Sequence, residues 1–150
     1  MTNRLSASEL YRLCPQIPEA LSLLASNDRP SEHIERSLGH LVRLRISQIN
    51  HCCYCQRMHA EEAREDGERQ ARLDVLPAWR EAACFSDRER TALLWAEALT
   101  HAAKGSVADD LYSAVIAEFE AAGLLELTAI ILEINSWNRV SLSLGFQPDF

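Results

Sequence analysis

The sequence predicts an all-α fold. Apolar residues recur at three-and-four spacing along most of the chain, and no segment alternates apolar and polar residues convincingly over four or more positions. Five Gly and five Pro in 150 residues mark off the periodic segments.

Taken in order, the stretch Tyr11 to Cys14 ends at Pro15, which cannot continue a helix. A second helix is expected from about Pro18 to Ser26, with Leu21 and Leu24 inward. Pro30 suits the first turn of a third, with Asn27 and Asp28 as caps. That helix carries Ile34, Leu38, Leu41, Val42, Ile46 and Ile49 on one stripe, and the basic run Arg36 to Arg45 reads as its wet side. A fourth holds the Cys-Cys-Tyr-Cys segment at 52–55 and runs out near Gly67. Asp87 opens a fifth, with Leu93, Leu94, Ala96, Ala98 and Leu99, ending before Gly105. Ser106 to Phe119 is the sixth, and Gly123 separates it from a seventh, Leu124 to about Leu144. The seventh is apolar nearly all round, so a second subunit is expected to cover part of it. No repeat of solenoid period and no low-complexity linker interrupts the chain, so residues 1–150 read as a single helical domain.

The totals exclude several function classes. A net charge of −7 leaves no surplus of Lys and Arg to replace the counterions of a nucleic acid. The stretch Leu124 to Leu144 is interrupted by Glu126, Glu133, Asn135, Asn138 and Arg139, which a membrane span tolerates poorly. The polar N-terminus lacks the apolar run of a secretory signal, so a cytoplasmic protein is expected. Five cysteines, three of them clustered at 52–55, fit redox or metal chemistry better than a dispersed disulfide framework.

On a helix Cys52, Cys55 and His59 sit at offsets 0, 3 and 7 and share one face within roughly 60° of arc. Cys53 and Tyr54 point elsewhere. A thiol pair at this spacing can close into a disulfide at the first turn of a helix, where the N-terminus favours thiolate. An imidazole one turn beyond Cys55 can take the thiol proton or return it to a leaving group. The rival reading is zinc bound by Cys52, Cys55 and His59, with His51, His40 or Cys84 as fourth ligand. No second CxxC or HxxxH supports it, and no metal or other cofactor is expected. His33 and His101 read as ordinary surface or core residues, and Cys14 and Cys84, in apolar surroundings, as inert.

Residues 41–50, Leu-Val-Arg-Leu-Arg-Ile-Ser-Gln-Ile-Asn, followed by the CxxC and then His59, resemble the core motif of the alkyl hydroperoxidase D-like (AhpD-like) proteins. These belong to the carboxymuconolactone decarboxylase superfamily. Leu-Pro-Ala-Trp-Arg at 76–80, the stretch at 87–100 and Ile-Asn-Ser-Trp-Asn-Arg at 134–139 resemble the same family, so the likeness covers about residues 30–145. Decarboxylases of the superfamily generally lack the CxxC, which favours the redox branch. The resemblance implies a helical bundle assembling as a homo-oligomer, trimer or hexamer. It also implies a thiol-dependent hydroperoxide reductase with Cys55 as peroxidatic thiol, Cys52 as resolving thiol and His59 in the proton relay. The reductant would be a dithiol, such as a lipoyl group on a carrier protein.

Two positions depart from the pattern. His40 stands where the family often has a relay Glu, twelve residues before Cys52, and Tyr54 where it often has His. His40 can pass protons but places no permanent negative charge. His51, where Gly is common, and the extra thiol of Cys53 are further differences. The reading that results is a dithiol peroxidase; the alternatives are a disulfide reductase or redox sensor acting on a protein, and a non-catalytic zinc-binding or structural oligomer.

Overall fold

The computed structural model describes residues 3–26 and 31–150, and every regular element among them is helical. Seven α-helices follow in order: α1 (Ala7–Leu13), α2 (Gln16–Leu24), α3 (Arg36–Ile49), α4 (Cys53–Glu65), α5 (Gln70–Val75), α6 (Asp87–Thr100) and α7 (Asp109–Leu144). The caps expected at Asn27, Asp28 and Pro30 lie outside the described residues.

Local chemistry sets several boundaries. Ser6 and Ser86 each begin a helix with a capping box, paired with Glu9 and Glu89 three residues on. Helix α3 starts at Arg36, so Ile34 anchors the approach to the helix rather than its first turn. Ser106 does not cap α7, whose N-cap is Ala108 with no side-chain hydrogen bond. The expected division at Gly123 is also displaced. The chain breaks helical geometry at Glu120, φ 58°, while Gly123 stays helical. A Cβ on Gly123 would meet Phe119 Cβ at 3.0 Å and His33 Cβ at 3.3 Å, so this glycine permits close packing rather than ending a helix. Short α5 and the 3-10 turn Leu76–Ala78, which the periodicity did not single out, fill the connection between α4 and α6.

Helix α3 is the hub, packed against α4, α6 and α7. Its Leu38, Val42 and Ile46 join Trp95, Ala96, Val115, Phe119, Leu127, Ile131 and Ile134 in one core. Leu41 and Leu44 on another face join Ala63, Leu73, Leu76, Trp79, Phe85 and Leu93 in a second. Each fully buried Leu or Ile is worth about 1.5–3 kcal/mol relative to exposure. Burial on both faces corrects the reading of Arg36 to Arg45 as a wet side. Arg43 is buried and donates to Glu133 on α7 at 3.0 Å, and Arg45 donates to Glu97 on α6 at 2.9 Å. Glu97 also accepts from Trp79 Nε1 at 2.8 Å, tying the 3-10 turn to the hub. Leu125, Leu132 and Leu142 on the outer side of α7 are exposed. No helix among the described residues is long and apolar enough to cross a membrane.

Candidate functional site

The turn between α3 and α4 places the thiols. Asn50 caps α3 and its side-chain amide donates to Asn135 Oδ1 at 3.0 Å and Asn138 Oδ1 at 2.9 Å, clamping the turn onto α7. His51 then takes the left-handed conformation, φ 56°. That is a geometry glycine adopts freely and His tolerates at some cost. The chain reverses there, and Cys52 becomes the N-cap of α4.

Cys52 therefore lies at the mouth of the helix rather than on it, a correction to the shared-face reading that leaves the pair close. The sulfurs of Cys52 and Cys55 are 2.7 Å apart and hydrogen-bonded, both buried and both free thiols. A disulfide would bring them to about 2.05 Å. Cys52 Sγ also accepts from the Cys55 backbone N–H at 3.4 Å. The Cys55 thiol hydrogen-bonded to it, aided by that N–H, brings Cys52 down to about 6 against the opposing effect of burial. Contact with Cys52 and burial push the Cys55 thiol upward, opposed by Ser141 and Asn138. Ser141 Oγ stands 3.5 Å from Cys55 Sγ. Asn138, fully buried, donates to Ser47 Oγ at 3.1 Å.

One turn along α4, His59 is buried with Nδ1 2.8 Å from Glu62 Oε2. His40, on α3, is equally enclosed. Its Nε2 lies 2.6 Å from Asp66 Oδ2, and its Nδ1 lies 3.9 Å from Glu62 Oε2. Burial alone would raise the Glu62 carboxyl; the His59 hydrogen bond and the charges of His40 and Arg43 outweigh it and hold Glu62 below its ordinary value. Desolvation raises Glu133 despite Arg43. Beyond His40, Arg36 pairs with Asp66 at 2.5 Å.

A cavity of about 930 Å³ opens beside these groups. Cys55, His59, Glu62, Glu133 and Ser141 line it, while Cys52 does not. Tyr11, Pro15, Pro18 and Leu23 of the N-terminal segment also line it, with Met58, Trp137 and Phe146 adding apolar surface. Tyr54 meets Phe146 edge-on at 5.6 Å between ring centres.

The structure thus brings together Cys52, Cys55 and His59, and sets His40 one carboxylate further away. His51 and Cys53 are exposed and do not line the cavity beside Cys55, and Cys84 is exposed rather than apolar-packed. Among the described residues no group of three or more His, Cys, Asp and Glu is arranged to hold a metal ion. Sequence reasoning missed Glu62, Glu133, Arg43, Asn138 and Ser141. Glu62 alone left a signal, a carboxylate three residues after His59.

Residues 15–98 match the model of the carboxymuconolactone decarboxylase family. The chain belongs to that family. It is an AhpD-like member, supported by the family model and by a structural neighbour 30% identical over nearly its whole length. The uncharacterized protein YdfG of Bacillus subtilis is 34% identical over 130 residues, covering 85% of this chain and 88% of its own. A protein of unknown function from Agrobacterium tumefaciens, described as a putative antioxidant defence protein AhpD, superposes with a TM-score of 0.88 at 30% identity over 99% of both chains. An uncharacterized peroxidase-related protein from Silicibacter sp. shares the fold, with a TM-score of 0.80 at 18% identity over 94% of this chain and 74% of that one.

Proposed function

We propose that this AhpD-like protein is a thiol-dependent reductase of organic hydroperoxides, working through a dithiol–disulfide cycle at Cys52 and Cys55. The supporting observation is the pair of free thiols in sulfur–sulfur contact, with Cys55 and His59 both on the wall of a cavity large enough for an organic peroxide.

The pair as a whole gives up its first proton near 6, so around neutral pH it carries one negative charge and one remaining proton. Charge rests more readily on Cys52, yet only Cys55 lines the cavity. The two facts are compatible because His59, one turn along α4 and on the same cavity wall, can take the remaining proton from Cys55. Cys55 thiolate attacks the terminal peroxide oxygen, the O–O bond breaks, and the alkoxide takes a proton from His59 to leave as alcohol. The Cys55 sulfenic acid is then attacked by the Cys52 thiolate, forming the disulfide and expelling hydroxide, which takes a solvent proton to leave as water. A dithiol donor, a lipoyl group on a carrier protein being one such reductant, returns both cysteines to thiols and leaves as a disulfide. His40 acts further out, exchanging protons with Asp66. The same reading includes a homo-oligomer in the cytoplasm, with the exposed leucines of α7 at the contact between copies.

Peroxide turnover with dihydrolipoamide as donor tests this. Wild-type protein should consume an alkyl hydroperoxide catalytically, and Cys55→Ser and Cys52→Ser should each lose turnover. Reduction of protein disulfides without peroxide consumption would instead assign a disulfide reductase.

A further inference from the structure

The carboxylate that position 40 lacks is present in the site from another direction. Glu62 stands three residues after His59 on α4, with Oε2 2.8 Å from His59 Nδ1 and 3.9 Å from His40 Nδ1. One carboxylate oxygen thus sits between two buried imidazoles on different helices. Resting on the peroxidase reading, we propose that Glu62 is the positioning carboxylate of the proton relay, fixing the tautomer of His59 and joining it through His40 and Asp66 to the surface.

An ionised carboxylate accepts and cannot donate, so Nδ1 of His59 carries the hydrogen in that bond. The other ring nitrogen, Nε2, is then left with its lone pair available to the thiol proton. His59 follows Cys55 by four positions on α4, one turn away on the same face, and both line the cavity. When Nε2 accepts the Cys55 proton, the imidazolium that forms is held by a negative charge already in contact. When the alkoxide leaves, the proton returns to it from Nε2. The turnover Cys55–SH + ROOH → Cys55–SOH + ROH therefore requires no net proton from elsewhere.

The second arm runs outward. His40 Nε2 is 2.6 Å from Asp66 Oδ2, and its Nδ1 is a buried nitrogen with no hydrogen-bond partner, 3.9 Å from Glu62. A small movement of the Glu62 side chain towards His40 closes a path from His59 to Asp66, which is paired with Arg36 at the surface. Among the described residues, the charged groups that act on Glu62 or line its cavity include His40 and Arg43 from α3, His59 from α4, Glu133 from α7 and Glu19 of α2. Arg43 donates to Glu133 at 3.0 Å, and its charge also helps to hold the Glu62 carboxyl ionised.

The experiment compares reduced wild-type protein with Glu62→Gln and Glu62→Asp, using Glu61→Gln on the exposed side of α4 as control. Tautomers are read from the imidazole ¹⁵N shifts of His59, and peroxide turnover is followed across pH with an alkyl hydroperoxide and dihydrolipoamide. Glu62→Gln should lose the single Nδ1–H tautomer, slow turnover by about 10–100-fold and change the shape of the pH profile. Glu62→Asp should recover part of each, and Glu61→Gln should match wild type. A wild-type tautomer and wild-type pH profile in Glu62→Gln overturn the inference. A wild-type protein that never turns over peroxide overturns the peroxidase reading instead, and the tautomer measurement still decides the role of Glu62.

Discussion

Removing the side chain of Cys55 should change how Cys52 titrates. The Cys55 thiol is the largest influence lowering Cys52 to about 6 from an ordinary 9.0, and burial works against it. At about 1.4 kcal/mol per tenfold change, a displacement of that size corresponds to about 4 kcal/mol of preference for the folded thiolate. The thiolate is favoured in the folded state, so this stability is fully present above the ordinary thiol value of 9.0 and is lost as pH falls through about 6. Cys55, pushed upward, keeps its proton throughout that window. In Cys55→Ala the donor to the Cys52 sulfur disappears while backbone N–H groups remain. The Cys52 midpoint should climb to about 7.5 or higher. Thiolate absorbance near 240 nm, or the pH dependence of iodoacetamide alkylation, measures this on the reduced protein. Urea unfolding of reduced wild type between about pH 5 and pH 9 should show stability rising with pH, and Cys55→Ala should flatten most of that rise. A variant midpoint still near 6, or a wild-type pair with no thiolate below about pH 8, would refute the reasoning.

Two further predictions concern the scaffold. Arg43→Met leaves Glu133 buried without its partner and should cost about 3–5 kcal/mol in urea unfolding. The loss should be larger at pH 8 than at pH 5, because a Glu133 carboxyl raised by desolvation is neutralised as pH falls; equal losses at both values would contradict the ion-pair account. His51→Gly relieves a side chain from the left-handed turn at φ 56° and should leave stability unchanged or raise it by up to about 1 kcal/mol in thermal unfolding, whereas a loss above about 1 kcal/mol would show that the imidazole has a structural partner.

The amino-acid sequence by itself determined the all-α class, the extents of α4 and α6, and the Cys52–Cys55–His59 constellation. These depend on periodicity, caps and short spacings, interactions within one or two helical turns. The likeness carried by residues 41–59 placed the chain in its family for the same reason, because a contiguous motif is legible without a fold. Tertiary structure decided the rest. Arg43 reads as a wet-face arginine until α7 brings Glu133 against it, ninety positions away. Gly123 reads as a helix breaker until Phe119 and His33 occupy the space a Cβ would need. Ser141 and Asn138 reach Cys55 only because Asn50 clamps the thiol-bearing turn onto α7. The missing carboxylate at position 40 looks like a gap in the relay until α3 and α4 pack and set Glu62 between His40 and His59. Local pattern announces which residues carry chemistry, but their charges and protons are set by groups that packing alone brings within a few ångströms.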